Sequence, residues 1–328
     1  MPTLPSSSIG SPDPYETVSD PEVKPVLAPV KWRVPVLLFA ATVVSILYTA
    51  AYMNADPGEP IRLVHGVSYT VSLLAILLTH EFAHYLFARY HGVNASLPHF
   101  IPMPLLTPFG TMGAVILMRD RIKSKNALLD IGASGPIAGM LVAIPVLLYG
   151  LAHSPVVPPA ESGMQEGQSL FYWLLKSIAI GPIPDGWDVQ LSPMAFAGWT
   201  GLFITMLNLL PVGQLDGGHV AYALFGPRQN RISKIIRWGL LALVPINALY
   251  RLSPALHGGL NDKLISMAVN ASTPWLGWFV VLTLLDRLSG GGHPPTEPGE
   301  LSPVRRVVAI GTLVLFVLLF MPTPMMSY

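Results

Sequence analysis

Apolar residues in this chain gather into long unbroken runs, without the three-to-four-residue rhythm of a soluble amphipathic helix. The longer runs, of about 20 residues, suffice to cross a hydrocarbon core about 30 Å thick. Successive runs cover Trp32 to Met53, Leu63 to Tyr90, Ala127 to Ala152, Pro193 to Leu210, Ile235 to Tyr250, Pro274 to Leu288 and Val307 to Met321. The pattern predicts an all-α polytopic membrane protein with about seven transmembrane helices. Residues 32–328 form the predicted membrane-embedded domain, with its core over about 63–226. Residues 1–31 are rich in Pro, Ser, Asp and Glu and have no apolar period, which predicts a disordered N-terminal tail.

Three stretches depart from the pattern. Leu97 to Met118 is apolar yet holds Pro98, Pro102, Pro104 and Pro108, so it cannot be a regular helix. It then runs through Gly110-Thr111-Met112-Gly113 into Ala114-Val115-Ile116. We expect a re-entrant loop or short β-hairpin over 97–118, because irregular backbone at membrane depth must lie against protein or a wet cavity. His153 to Leu191 is polar with an apolar insert, Leu170 to Ile180, that is too short to cross and is expected in the interface. Ser289 to Pro303, with its Gly and Pro, reads as a linker.

Composition agrees: 52% of residues are hydrophobic and 11% charged, against about 25% charged in soluble domains. A net charge of +1 says nothing by itself about nucleic acid, and no nucleic-acid partner is expected. The absence of cysteine excludes disulfides, thiolate nucleophiles and Cys-ligated zinc. Of the 19 Lys and Arg residues, all but Arg62, Lys176, Arg251 and Lys263 fall on one side of the predicted spans. The positive-inside rule makes that side the cytoplasm and puts the N-terminus there. The tail lacks both a signal peptide's plan and a transit peptide's basic character. A bacterial inner membrane is therefore the expected location.

Within the second run stands His80-Glu81-Phe82-Ala83-His84, an H-E-x-x-H pattern. Residues i and i+4 share a helix face, so two imidazoles can meet one metal ion, with Glu81 beside a water held there. An ionisable residue at the bilayer centre costs on the order of 2.5–3.5 kcal/mol on insertion scales, so three in five residues call for a compensating role. A catalytic zinc needs a third protein ligand. Asp216, just beyond the helix break at Pro211 and Gly213, is the candidate, and His219 is its rival. Asp216 could instead cap a helix beginning at Gly217. His80 lies about 26 Å along its span, near the basic side, and Asp216 ends a span running the same way.

Two other readings use the same residues. His80, Glu81, His84 and Asp216 could line the ion path of a transporter or channel. Gly132-Ala133-Ser134-Gly135 matches the G-x-S-G of rhomboid serine proteases, without a well-centred histidine to activate the serine.

Taken together, H-E-F-A-H and N-L-L-P-V-G-Q-L-D-G-G-H (Asn208 to His219) resemble the site-2 protease family of intramembrane zinc metalloproteases. The resemblance implies one zinc per chain held by His80, His84 and Asp216, with Glu81 as general base. It implies that Asn208 positions the scissile peptide, and that the Gly110, Thr111 and Gly113 hairpin receives unwound substrate as an added strand. It further implies regulated cleavage of single-span membrane proteins within the lipid bilayer, while the charge distribution puts the site toward the cytoplasm. The loop at 153–191 is too short for the PDZ domain many relatives carry, so a minimal, PDZ-less form is expected and substrate recruitment lacks an obvious module. The sequence leaves self-association open.

Overall fold

The computed structural model describes residues 29–327 apart from 56–57, 159–162, 289 and 291. The tail expected over 1–31 lies almost wholly outside the described residues. The chain runs through α1 (Arg33–Met53), α2 (Val64–Tyr90), β1 (His99–Pro102), β2 (Thr111–Val115) and α3 (Lys125–Ala152). A segment rich in short elements follows: β3 (Val156–Val157), β4 (Met164–Glu166), α4 (Leu170–Ile180) and β5 (Asp188–Val189). Then come α5 (Pro193–Asn208), α6 (Asp216–Phe225), α7 (Gln229–Leu252), α8 (Ala255–Gly258), α9 (Asp262–Leu288), α10 (Pro303–Leu319) and β6 (Met325–Ser327).

Serine and proline set several of these boundaries. Ser124, Ser169, Ser192 and Ser302 each accept a backbone N–H bond in the first turn of α3, α4, α5 and α10. Pro193 and Pro303 take first-turn positions, where the missing N–H does no harm.

Among the described residues five helical segments are long and apolar enough to cross a bilayer: α1, α2, α3, the stretch Asp216–Leu252 that joins α6 to α7, and α9. α5, with 16 residues, and α10, with 17, are shorter. The fold is thus mostly helical and membrane-spanning, while the expected seven spans are not reached on length and composition. α5 has a physical reason to be short. Trp199, Leu202, Met206 and most of its other residues are buried in protein, so lipid thickness does not dictate its length.

Burial is arranged for lipid. On α2, Val67, Val71, Leu86 and Phe87 face outward while Thr70, Ser72, His80, Glu81 and His84 are buried. α2, α3 and α5 pack on one another at the centre. α1 and β1 flank one side, α6 and α10 the other, and α7 pairs with α9. At the basic face Arg305 grips Asp130 with two bonds of 2.8 and 2.7 Å, and His91 adds a third at 2.8 Å, tying α10, α3 and α2 together. Arg237 and Asp286, 2.8 Å apart, join α7 to α9.

The stretch at 97–118 is a hairpin. β1 and β2 pair antiparallel, with His99 opposite Val115, and dock on α1. Ser45 Oγ donates to the Gly110 carbonyl at 2.6 Å, and the Leu105 N–H donates to Thr49 Oγ1 at 3.1 Å. On the opposite face β3 pairs with β5, and β4 with β6. The insert at 170–180 is the 11-residue helix α4, with Tyr172 and Leu175 inward and Trp173 and Ile178 outward.

The expected linker before α10 is instead a strap across the basic face. Arg121 Nε donates to the Pro295 carbonyl at 2.8 Å, the Glu297 N–H donates to the Lys123 carbonyl at 2.8 Å, and the His293 N–H donates to Asn230 at 3.0 Å. Its Gly and Pro residues shape a path over the surface that backbone and side-chain bonds then fix.

Candidate metal centre

His80 and His84 sit one turn apart on α2, and Asp216 is the first residue of α6. The α5–α6 break turns the Asp216 carboxylate back toward α2. Gly217 makes this possible: a Cβ there would lie 1.9 Å from the Leu209 carbonyl oxygen, which crosses directly beneath α6. Asp216 makes no capping bond. Its Oδ2 lies 3.2 Å from His80 Nε2 and 3.2 Å from His84 Nε2, and the two imidazole nitrogens are 3.1 Å apart. Among the described residues these three form the one group of donors close enough to hold a metal ion.

The triangle suits zinc. A tetrahedral ion with ligands at about 2.0–2.1 Å keeps them about 3.3 Å apart. Two imidazoles and a carboxylate, with no thiolate, are a borderline donor set that zinc accepts. The outer contacts also fit. His84 Nδ1 lies 2.6 Å from the Ile131 carbonyl and can only donate to it, which leaves Nε2 unprotonated and free to ligate.

Space for the imidazoles comes from α3. A Cβ on Gly135 would lie 2.1 Å from His84 Nε2, and one on Gly139 would lie 3.1 Å from His80 Nδ1. These small residues admit the histidine side chains of α2, not only its backbone. Ser134 of the G-x-S-G match donates to the Ile131 carbonyl in its own helix at 2.9 Å. That leaves no sign of an activated nucleophile.

Glu81 is 6% exposed and has no hydrogen-bond partner among the described residues. With the three donors it lines a cavity of about 290 Å³. Asn208, the last residue of α5, brings Nδ2 to 3.2 Å from His80 Nε2 and lines the same cavity. So do Ala114, Val115 and Ile116, at the far end of the hairpin. Gly110, Thr111 and Gly113 do not. Gly110 (φ 72°) packs on the backbone of Ile46, and Thr111 Oγ1 bridges to the Ile101 carbonyl at 2.9 Å, so both serve the hairpin's own architecture.

His219 stands beside the three donors without joining them. Its Nδ1 is 2.8 Å from Nε2 of His293 in the strap, a residue sequence reasoning missed. His293 Nδ1 donates to the Pro294 carbonyl at 2.7 Å. His293 Nε2 is then an acceptor, His219 Nδ1 a donor, and His219 Nε2 an unprotonated nitrogen in the cavity wall. Burial holds the His293 imidazole below the ordinary histidine range.

Comparison with known proteins agrees with this geometry. Residues 68–246, over half of the chain and including both motifs, match the profile of peptidase family M50. The chain is 30% identical over 196 residues to "Probable zinc metalloprotease EGY2, chloroplastic" of Oryza sativa subsp. indica, a match covering 57% of this chain and 34% of that protein. To the Arabidopsis thaliana protein of the same name it is 26% identical over 269 residues, covering 80% and 42%. To "Probable zinc metalloprotease EGY1, chloroplastic" of Arabidopsis thaliana it is 34% identical over 181 residues, covering 53% and 31%. The matches thus span about a third to two fifths of these relatives' length. No solved structure matches.

The relatives correct one expectation. They are chloroplast proteins, so a chloroplast membrane fits better than a bacterial inner membrane, and the basic face loses its cytoplasmic label. Apolar runs report the thickness of a bilayer and basic loops report a side of it; neither reports which membrane it is. The two motifs, the triangle of donors they build and the extent of the profile match lead to one conclusion: the chain belongs to peptidase family M50, the site-2 protease family its motifs resemble.

Proposed function

We propose that this chain is an intramembrane zinc metalloendopeptidase that cleaves the membrane-spanning segments of single-span proteins, as a step of regulated intramembrane proteolysis. One observation carries the reading: His80, His84 and Asp216 converge within 3.2 Å of one another, with unpartnered Glu81 on the wall of the same cavity. An ion path would spread such groups along a route; here they meet at a point.

Zinc held by His80, His84 and Asp216 would lower the pKa of a bound water toward about 7 and polarise the scissile carbonyl. Glu81 takes the proton of the attacking water and delivers it to the leaving amine. Its lack of a protein partner keeps both carboxylate oxygens available. Asn208 Nδ2 donates to the carbonyl oxygen as charge develops there. The outer edge of β2 is unpaired within its sheet, and near Ala114 it offers backbone groups to an unwound substrate, whose helical bonds would otherwise hide the scissile carbonyl. Within this reading residues 32–328 act as one membrane-embedded domain, and α5 and α10 complete seven spans.

The test is cleavage in proteoliposomes. A panel of single-span proteins is co-reconstituted with wild type or with Glu81→Gln. The reading expects fragments that need Glu81 and vanish on chelation. Fragments that persist with Glu81→Gln, or a panel left intact by a zinc-loaded wild type, would overturn it.

A further inference from the structure

A cavity larger than the one at the metal centre, of about 920 Å³, opens on the face opposite the basic loops, where α1 and α7 end and α2, α5 and α9 begin. Met53, Met164, Met267, Met325 and Met326 line it, and methionine surfaces re-pack around varied partners. Residues of β3, β4, β5 and β6 also form its walls. Each of these strands belongs to a two-stranded sheet and so has one edge unpaired within it.

The cavity wall carries both signs. Its two carboxylates, Glu166 and Asp188, share Lys176 behind the wall at 3.2 Å and 3.3 Å. Its two cations, Arg251 and Lys263, have no acidic partner among the described residues. Arg251 lies 5.4 Å over the Tyr250 ring, and its buried Nε has no hydrogen-bond partner. With Lys176 counted, the group carries one net positive charge, and its members without an ion-pair partner are both cations.

The hairpin links this cavity to the metal centre. Pro108, in its turn, lines the large cavity, while Ala114 to Ile116 line the metal cavity. Tyr69 on α2 lines the large cavity, and His80 lies about 16 Å further along the helix. About five residues of extended chain cover that distance.

We infer that this cavity is an exosite that takes the extended segment of the substrate emerging on this face, and that it selects acidic side chains there. The inference rests on the protease reading above. It would give the protein a means of recruiting substrate. A substrate would lie along β2, its scissile bond at the metal centre and its acidic flank against Arg251 and Lys263.

Binding is the test, because it does not depend on turnover. Full-length Glu81→Gln, zinc-loaded in phosphatidylcholine nanodiscs, is titrated with two fluorescein-labelled eight-residue peptides, one alternating Glu and Leu, the other Lys and Leu. The acidic peptide is expected to bind about tenfold or more tightly than the basic one. Arg251→Glu with Lys263→Glu should reverse that order, since like charges face each other. Arg251→Gln with Lys263→Gln should abolish the preference and covers the case in which charge reversal prevents folding. Equal binding of the two peptides, binding of neither, or a preference unchanged by both double variants would overturn the exosite. Loss of acidic-peptide binding when phosphatidylglycerol replaces phosphatidylcholine would do so too, assigning the cavity to an anionic lipid. Zinc measured in the same samples separates the two ideas: an intact zinc site without peptide binding removes only the exosite.

Discussion

At the scale of the residue, the chemistry turns on which side chains hold the metal and which stay free. Glu81 is buried beside the donors without a bond of its own. Glu81→Gln should therefore keep zinc and lose cleavage by about 10²–10⁴-fold, the usual worth of a positioned general base. Paired metal analysis and product counting would check this. Gly135 belongs to the same scale. Gly135→Ala places a carbon 2.1 Å from His84 Nε2, and backbone on α3 cannot yield as a flexible side chain could. The expected result is loss of most bound zinc, read by elemental analysis, while far-ultraviolet circular dichroism stays helical. The three donors that converge were legible in the sequence, because i, i+4 spacing and a helix break before Asp216 are local features. The task of Gly135 was not, because smallness says only that something comes close. His293 was invisible too: its role arises from a contact with His219, 74 residues away.

At the scale of the element, the hairpin and the strap carry the site's outer walls. Gly110 combines φ 72° with a Cβ position 2.7 Å from the Ile46 backbone. Gly110→Ala should cost about 1–3 kcal/mol, seen as a lower melting temperature and slower cleavage at unchanged zinc content. The strap depends on a neutral His293. The fold holds its pKa below the ordinary value of 6.5, so its contribution is fully present above about pH 6.5 and is lost as pH falls through the lowered folded value. Hydrogen-exchange protection factors, corrected for the intrinsic pH dependence of exchange, should fall over 292–302 below pH 6.5 in wild type and show a flatter pH profile in His293→Gln. The hairpin could be read from its prolines and Gly-Thr-Met-Gly run. The strap could not, because a Gly- and Pro-rich tract looks the same whether free or pinned by Arg121, Lys123 and Asn230. Span number was only partly legible for a related reason: apolar runs report lipid thickness only where lipid is the neighbour, and most of α5 is buried in protein.

At the scale of the whole molecule, α2, α3, α5 and α6 come from separate stretches of chain, and a metal held by His80, His84 and Asp216 would join two of them. Ligation of α2 to α6 should therefore stabilise the native bundle, by about 2.7 kcal/mol at a free zinc concentration 100 times Kd. Melting in detergent should shift upward with zinc in wild type and not in His80→Ala. The two-sidedness of the fold, with basic loops on one face and the Arg251 and Lys263 cavity on the other, was partly legible in the charge distribution. The membrane in which it resides was not, since no bilayer leaves its name in hydropathy.

The most direct measurement is the zinc content of purified wild type beside Asp216→Ala and Glu81→Gln, after metal readdition and removal of excess. The account predicts about one zinc per chain for wild type and Glu81→Gln and a marked loss for Asp216→Ala. A wild type that holds no zinc, or an Asp216→Ala variant that keeps it in full, would contradict the three-ligand centre on which the rest depends.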